Sequence, residues 1–171
     1  MLDDCANVNA GITGGGATVG ASYDFGTGFT AAFGLQTTET AVVTDESADA
    51  YAFNAAYTGD SYGVSVTYGV VEPADANGVP TQEENTYTAL NAYYVPEGSL
   101  PSISVGYEVG DIGGAAKDVD ESVSFMIGLS WDEVGPGTAG VALGHSNTVE
   151  SSDEEYQYEA YYSYPINDGM T

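Results

Sequence analysis

The sequence contains almost no positive charge. Lys117 is the only Lys or Arg among 171 residues, against 26 Asp and Glu, so the formal net charge at pH 7 is −25. A chain of this charge is repelled by nucleic-acid phosphates and by anionic lipid surfaces at ordinary salt concentrations. Both are therefore set aside as partners.

The sequence also lacks a disulfide pair, a cluster of metal-binding residues and a long apolar segment. Cys5 is the single cysteine, so it cannot form an intramolecular disulfide, and no Cys/His cluster is present to bind a structural metal. No stretch of about 18 apolar residues occurs, which excludes a transmembrane helix. The chain begins with MLDDCAN, which lacks the basic and apolar segments of a signal peptide, so an exported protein would require a longer precursor.

The residues that are abundant predict an all-β fold. Hydrophobic residues make up 43% of the chain and 14 residues are Tyr, a composition that favours a folded protein over a disordered acidic one. Apolar and polar residues alternate with a period of two, and helical periodicity is absent. Nine strands of about 8 to 11 residues, the length with which a tilted strand crosses a bilayer, are predicted at 17–25, 28–37, 50–57, 62–71, 86–94, 102–109, 122–131, 138–146 and 155–164.

The connections between these strands alternate between short and long. Short segments rich in turn-forming residues close one end, at 26–27, 58–61, 96–99, 135–137 and 167–169. Longer polar segments close the other end, at 38–49, 72–85, 110–121 and 147–154. This arrangement is typical of an antiparallel up-and-down transmembrane β-barrel, which has short turns on one side of the membrane and long loops on the other.

Acidic residues are concentrated in the long segments. Of the 26, 16 lie in or beside these segments, four to each. Carboxylates around a pore mouth attract cations and repel anions. The sequence therefore predicts an anionic rim with the candidate members Asp45, Glu46, Glu83, Glu84, Asp118, Asp120, Glu121, Asp153, Glu154 and Glu155. Calcium bound by loop carboxylates at 118–121 or 151–155 is an alternative, although neither segment has EF-hand spacing.

Alternation within the strands predicts two different faces. The segment 62–70 places Tyr and Val on one face and Gly, Ser and Thr on the other. An apolar row of this length suits lipid, and a row of small or polar residues suits a watery lumen. The mixed pattern of 86–94 leaves its faces unassigned. Elsewhere the alternation predicts the pore-lining residues Thr30, Gln36, Asn54, Ser65, Thr67, Ser104, Glu108, Gln157 and Glu159.

Aromatic residues cluster beside the short turns. Such a cluster predicts a girdle at one membrane interface, where amphipathic rings prefer the headgroup level. The general preference of Tyr for strands is the alternative explanation. The residues concerned are Tyr23, Phe25, Tyr57, Tyr62, Tyr93, Tyr94, Trp131, Tyr162 and Tyr164.

The sequence predicts neither catalysis nor a cofactor. His145 is the single histidine, and no Ser or Cys nucleophile accompanies it in a recognisable motif, so a rim or surface position is the better interpretation. The glycine-rich run 11–16 is not followed by the Lys of a P-loop, which makes it a turn instead of a phosphate site.

Five stretches resemble the cyanobacterial outer-membrane porins, a group related to the carbohydrate-selective porins and also called iron-uptake porins. They are ASYDFGTGFTAAFG from Ala21, AYTGDSYGVSVTYGVVE from Ala56, LPSISVGYEVGD from Leu100, WDEVGPGTAGVALG from Trp131 and YEAYYSYPINDGMT from Tyr158. The resemblance covers most of 17–171 and implies an outer-membrane homotrimer of barrels with roughly 16 strands each. It also implies a cleaved signal peptide and an N-terminal periplasmic domain whose S-layer-homology motif binds cell-wall polymer.

The strand number predicts an incomplete barrel. Bacterial barrels have an even number of strands and no free edge, and nine strands meet neither condition. The chain ends at INDGMT, where the family porins continue into further strand sequence. Residues 1–171 are therefore expected to be the C-terminal part of a larger porin, without its N-terminal domain and final strands.

Three functions are compatible with these features. The first is passive diffusion of inorganic ions and small polar solutes through an outer-membrane pore with a preference for cations. The second is a structural link between the outer membrane and the cell wall. The third is a secreted acidic β-sandwich or adhesin module that binds partners through its loops, with the apolar rows as its core.

Overall fold

A computed structural model describes residues 16–39, 47–72, 83–114, 120–147 and 155–164. Within these ranges no helix is long and apolar enough to cross a membrane. The described chain forms nine β-strands: β1 (Gly16–Asp24), β2 (Phe29–Glu39), β3 (Ser47–Thr58), β4 (Tyr62–Glu72), β5 (Asn85–Tyr94), β6 (Ser102–Asp111), β7 (Glu121–Val134), β8 (Gly137–Asn147) and β9 (Glu155–Ser163).

The nine strands form one antiparallel sheet in the order of the sequence. Each strand of the described ranges contacts only the strands before and after it in the chain, so β1 and β9 are not neighbours and the sheet is open. No second layer packs on either face within these ranges. The predicted all-β, up-and-down architecture and all nine predicted strands are confirmed.

Most strands extend further than the alternation of the sequence predicts. Pairing at the long-connection end continues into acidic residues, where Asp49 faces Glu72 and Asp111 faces Glu121 across neighbouring strands. Charged residues interrupt a hydrophobic pattern, but a solvated charge does not prevent the backbone N–H and C=O groups from pairing. The hydrogen-bonded ladder is therefore longer than the apolar rows.

The connections alternate in length, with one exception to the prediction. Residues 25–28, 59–61 and 135–136 form short turns at one end of the sheet, called here the turn end. The fourth connection at this end was predicted as a tight turn at 96–99 but occupies 95–101, because β5 ends at Tyr94 and β6 begins at Ser102. Its two prolines, Pro96 and Pro101, have no backbone N–H to pair, which is a physical reason why β5 ends at Tyr94 and β6 begins only at Ser102, the bounds that the sequence predicts for these two strands.

The strand register sorts the side chains onto two faces. Directly opposed residues of antiparallel strands share a face, so each row can be followed across the sheet. One row crosses β2 to β9 through Phe29, Tyr57, Val64, Ala92, Val105, Ile127, Leu143 and Tyr158. The alternate row crosses β1 to β8 through Ser22, Ala32, Asn54, Thr67, Ala89, Glu108, Ser124 and Ser146. We call the two sides the apolar face and the polar face.

The apolar face is not covered by any part of the described chain. Phe29, Val64 and Leu90 are exposed to 54%, 50% and 53%, and Tyr158 reaches 78%. Among the described residues only Ala50, Val70 and Ala89 are buried hydrophobic residues. The described sheet therefore has no hydrophobic core of its own, because no other part of the described chain covers its large apolar side chains.

Glycine is required at one position of the β1–β2 turn. Gly26 and Gly28 both have positive φ angles, 73° and 84°. A Cβ on Gly28 would lie 2.5 Å from the carbonyl oxygen of Thr58, whereas a Cβ on Gly26 would meet nothing within 4 Å. Thr58 N also donates a 2.8 Å hydrogen bond to Gly28 O, which joins this turn to the end of β3.

We predict that Gly28→Ala destabilises the protein more than Gly26→Ala. A left-handed backbone costs a residue with a Cβ about 1–2 kcal/mol, and both variants incur this cost. Only Gly28→Ala must also displace the end of β3. Urea unfolding followed by the fluorescence of Trp131, the single tryptophan, measures the difference. Equal destabilisation of the two variants would show that the turn and β3 are not in contact.

Candidate functional site

The nine pore-lining candidates of the sequence all lie on the polar face. Asn54, Thr67 and Glu108 belong to the row that crosses β1 to β8, as described above. Thr30, Ser65 and Gln157 lie in the adjacent row. Gln36, Ser104 and Glu159 lie in further rows of the same face. The register thus brings together residues that are up to 129 positions apart in the chain, from Thr30 to Glu159.

A side-chain hydrogen bond connects the polar rows of β3 and β4. Asn54 Nδ2 donates to Thr67 Oγ1 at 2.8 Å and to the carbonyl oxygen of Val66 at 3.2 Å. Asn54 and Thr67 are half-buried. The amide is therefore fixed against the sheet, and the polar face between these strands has a defined hydrogen-bonding surface.

The polar face carries negative charge away from its ends. Glu108 is opposite Ala89 on one side and Ser124 on the other, and Glu159 is opposite Ala142. Glu108 is half-buried, and its Oε2 has no hydrogen-bond partner among the described residues. The described ranges contain no Lys or Arg, since Lys117 lies outside them. A cation beside this face would therefore meet carboxylates and no competing positive side chain.

The register also assigns the faces of β5, which the sequence left open. Ala89 and Asn91 lie on the polar face, together with Tyr87 and Tyr93. Tyr161 of β9 lies on the same face. Each of these three tyrosines is directly opposite a glycine, and they are the aromatic residues that the described strands place on the polar face.

An aromatic row follows the turn end on the apolar face. Tyr23 and Phe25 contact each other edge to face with ring centroids 4.8 Å apart. Phe29, Tyr57 and Tyr62 form a continuous group with centroid distances of 4.7 and 5.5 Å. The row is continued on later strands by Tyr94, Trp131 and Tyr162.

One member of the predicted aromatic girdle, Tyr93, does not belong to this row, and Tyr164 follows the end of β9, where no strand pair assigns it to a face. Tyr93 was predicted with the others because it lies beside a short turn, but its position in the register puts it on the polar face. Proximity to a turn in sequence does not determine the face, because adjacent residues of a strand point to opposite sides. Tyr162 is fixed within the row by its hydroxyl, which donates a 2.9 Å hydrogen bond to the carbonyl oxygen of Val134.

Five of the ten predicted rim residues lie in the described ranges, all at the long-connection end. They are Glu83, Glu84, Asp120, Glu121 and Glu155. Asp45, Glu46, Asp118, Asp153 and Glu154 lie outside the described residues, as do residues 118–119 and 151–154 of the two segments considered as alternative calcium sites. Within the described ranges no group of three or more His, Cys, Asp and Glu side chains is placed to hold a metal ion.

Two long connections pack against each other at this end. Gly113 N donates a 2.9 Å hydrogen bond to Asn85 Oδ1, and a Cβ on Gly113 would overlap the backbone of Glu83 and Glu84. Ile112 N donates a 2.6 Å hydrogen bond to Asp120 O. These contacts bring acidic residues of the β4–β5 and β6–β7 connections to one place.

His145 lies on the apolar face in β8, near the long connections. Its ring is stacked on Phe125 with a centroid distance of 5.2 Å and is 4.9 Å from the ring of Tyr156. The Nδ1 atom is buried without a hydrogen-bond partner among the described residues. His145 as a whole is half-buried at this position.

Comparisons with known proteins identify no family for this chain, because no protein-family model, no curated protein and no solved structure matches it. The likeness to cyanobacterial porins stays a prediction from the sequence. The functional conclusion therefore depends on the sheet itself.

The like-charged pair Asp111 and Glu121 yields a prediction about stability. Like charges directly opposite on neighbouring strands destabilise a sheet by roughly 0.2–1 kcal/mol. We expect Asp111→Asn to stabilise the protein at low salt, with a smaller effect in 1 M salt because the Debye length there is only about 3 Å. Urea unfolding at both salt concentrations measures this.

Glu97→Gln is the matched control for that experiment. It removes one negative charge from the 95–101 connection, outside the strand pairs. It therefore reports the effect of net charge alone. Destabilisation by Asp111→Asn would contradict simple repulsion and would indicate a cation that bridges the two carboxylates.

Proposed function

We propose that this sheet is part of the wall of a transmembrane β-barrel in an outer membrane, and that the barrel is a passive pore for inorganic ions and small polar solutes with a preference for cations. The observation that carries the proposal is the segregation of the two faces in a sheet that has no second layer among its described residues. Lipid covers the apolar face in this arrangement, and the polar face lines a water-filled lumen.

The size of the apolar face supports lipid as its partner. Nine strands at about 4.8 Å spacing make the sheet roughly 40 Å wide. Apolar rows that extend about 25 Å along the strands give an area on the order of 1,000 Å², beyond the 300–600 Å² of the largest patch on a typical soluble monomer. Such a face requires a continuous apolar environment.

The length of the rows supports the same partner. In β4 the apolar row extends from Tyr62 to Val70, which is about 26 Å at roughly 3.3 Å per residue. Strands of membrane barrels are tilted by about 35–45°, so the row covers roughly 20 Å of membrane thickness, close to the apolar band of about 25 Å in known barrels. The aromatic row at the turn end then lies at one headgroup region.

A closed pore needs partners for the two edges of the sheet. β1 pairs only with β2, and β9 pairs only with β8. Open edges expose backbone N–H and C=O groups, which lipid cannot satisfy. In the proposed pore further strands complete the wall, and the homotrimer implied by the family resemblance is its proposed assembly.

Charge supports the proposed preference for cations. The described acidic residues at the long-connection end form the outer mouth, and Glu108 and Glu159 contribute carboxylates inside the lumen. No described Lys or Arg opposes them. Rings of carboxylates raise the local concentration of cations and deter anions.

The lipid proposal is tested by thiol accessibility in β4. In a Cys5→Ser background, we expect Ser65→Cys to react with a charged, membrane-impermeant thiol reagent in lipid vesicles. Val64→Cys and Val66→Cys should instead react only with a lipid-soluble maleimide. Val64 and Val66 are the matched controls, because they flank Ser65 and point to the opposite face.

The opposite order of reactivity would contradict the proposal. A bare sheet in water leaves Val64 50% exposed and Ser65 half-buried, so the two valine positions would react fastest with the charged reagent. A protein that is soluble without detergent and protects Val64→Cys and Val66→Cys from both reagents would support a secreted β-sandwich.

The pore proposal is tested by planar-bilayer recording on the native, full-length protein. We expect ohmic channels whose reversal potential in a KCl gradient shows a preference for K⁺ over Cl⁻. The combined variant Glu83→Gln, Glu84→Gln and Glu121→Gln should weaken that preference, more at low salt than at high salt. Glu97→Gln at the turn end is the control. Absence of conductance, or a preference for anions, would overturn the proposal.

A further inference from the structure

Three tyrosines of the polar face share a feature that the proposed pore does not explain. Apart from Met126 and Val71, the polar face consists otherwise of small or polar side chains. The row around Tyr87 contains Gly34, Ala52, Gly69 and Gly110. Large aromatic rings would obstruct a lumen if they stood upright on such a wall. Their direct neighbours show how they are accommodated.

Each ring extends sideways over a glycine of the neighbouring strand. A Cβ on Gly63 would lie 2.8 Å from Cζ and 3.0 Å from Oη of Tyr93. A Cβ on Gly140 would lie 2.7 Å from Cζ and 2.9 Å from Oη of Tyr161. The atoms that approach are those at the far end of the ring, so the ring lies along the wall instead of projecting from it.

The third pair, near the long-connection end, differs in one respect: a Cβ on Gly110 would first meet the hydroxyl oxygen of Ser122 and then the side of the Tyr87 ring. A Cβ on Gly110 would lie 2.9 Å from both Cδ1 and Cε1 of Tyr87. Gly63, Gly110 and Gly140 are all buried, although the polar face has no covering layer in the described chain. Tyr93 and Tyr161 remain exposed to 41% and 48%. The rings therefore shield the glycines and turn their other side to the lumen.

We propose that the pairs Gly63–Tyr93, Gly110–Tyr87 and Gly140–Tyr161 set the bore of the pore by holding each tyrosine flat against the wall. This inference rests on the proposed function. A flat ring occupies little more than one van der Waals contact distance above the wall, roughly 3.5–4 Å. Any side chain in place of the glycine removes the space under the ring and tips it into the lumen.

The experiment compares the single-channel conductance of glycine variants. We expect Gly63→Ala and Gly140→Ala to lower the conductance by roughly a fifth to a half, because passage depends on pore diameter. Gly34→Ala is the matched control, since Gly34 lies on the same face and a Cβ there would meet nothing within 4 Å. Its conductance should equal that of the wild type.

A double variant separates ring displacement from general damage to the wall. Removing the ring in Gly63→Ala/Tyr93→Ser should restore conductance to at least the wild-type value, because no ring is left to enter the lumen. Failure of this rescue, or equal conductance of Gly63→Ala and wild type, would overturn the inference while the pore function stands. A wild-type protein that does not conduct would overturn both.

If the glycine variants do not fold, the single variant Tyr93→Ser tests whether the Tyr93 ring lies flat against the wall. A ring that already lies flat contributes little to the resistance, so its removal should change conductance by no more than about a tenth. A large increase would show that the wild-type ring projects into the lumen and would overturn the inference. Folding of every variant is checked by the shift in gel mobility between unheated and boiled samples.

Discussion

The register of nine antiparallel strands, continuous except at one point near the end of β7, is the constraint on which the other features depend. Side chains alternate with a period of two, so a slip of one residue in any strand would move its apolar side chains to the polar face. Within the described strand pairs the register shifts only between Trp131 and Val134 of β7, close to a turn. Both the uncovered apolar face and the assembly of polar residues from distant segments follow from this continuity.

The register explains which parts of the structure could be predicted from the sequence. A strand with strict alternation, such as β4, was predicted with its faces because Tyr and Val alternate with Gly, Ser and Thr there. The faces of β5 could not be predicted, because Tyr occurs on both of its sides and only pairing with β4 and β6 distinguishes them. Tyr93 was wrongly assigned to the aromatic girdle because the sequence alone does not show which face of β5 it occupies. Strand lengths were underestimated where acidic residues continue the backbone pairing at the long-connection end.

The placement of charged residues follows the division of the sheet into an apolar face and a polar face. In the proposed barrel, carboxylates in the middle of an apolar row would have to be transferred into lipid, which is costly. Accordingly, the two mid-strand acids, Glu108 and Glu159, are on the polar face, and the like-charged pair of Asp111 and Glu121 is at the end of its strands. Each pore-lining candidate could be predicted from the alternation within its own strand. The arrangement of these candidates in rows could not, because it depends on the register of every intervening strand.

The glycines of the polar face link this architecture to the proposed lumen. Glycine weakens a strand because it loses more conformational freedom and provides no side chain to pack. An aromatic ring from the adjacent strand can compensate by covering the exposed backbone. At Gly63 and Gly140 the covering ring is the tyrosine directly opposite, so the residue that stabilises the wall is also the residue that would otherwise narrow the lumen. A wall built of small residues thus gains packing without losing width, and this holds only while the opposing position remains glycine.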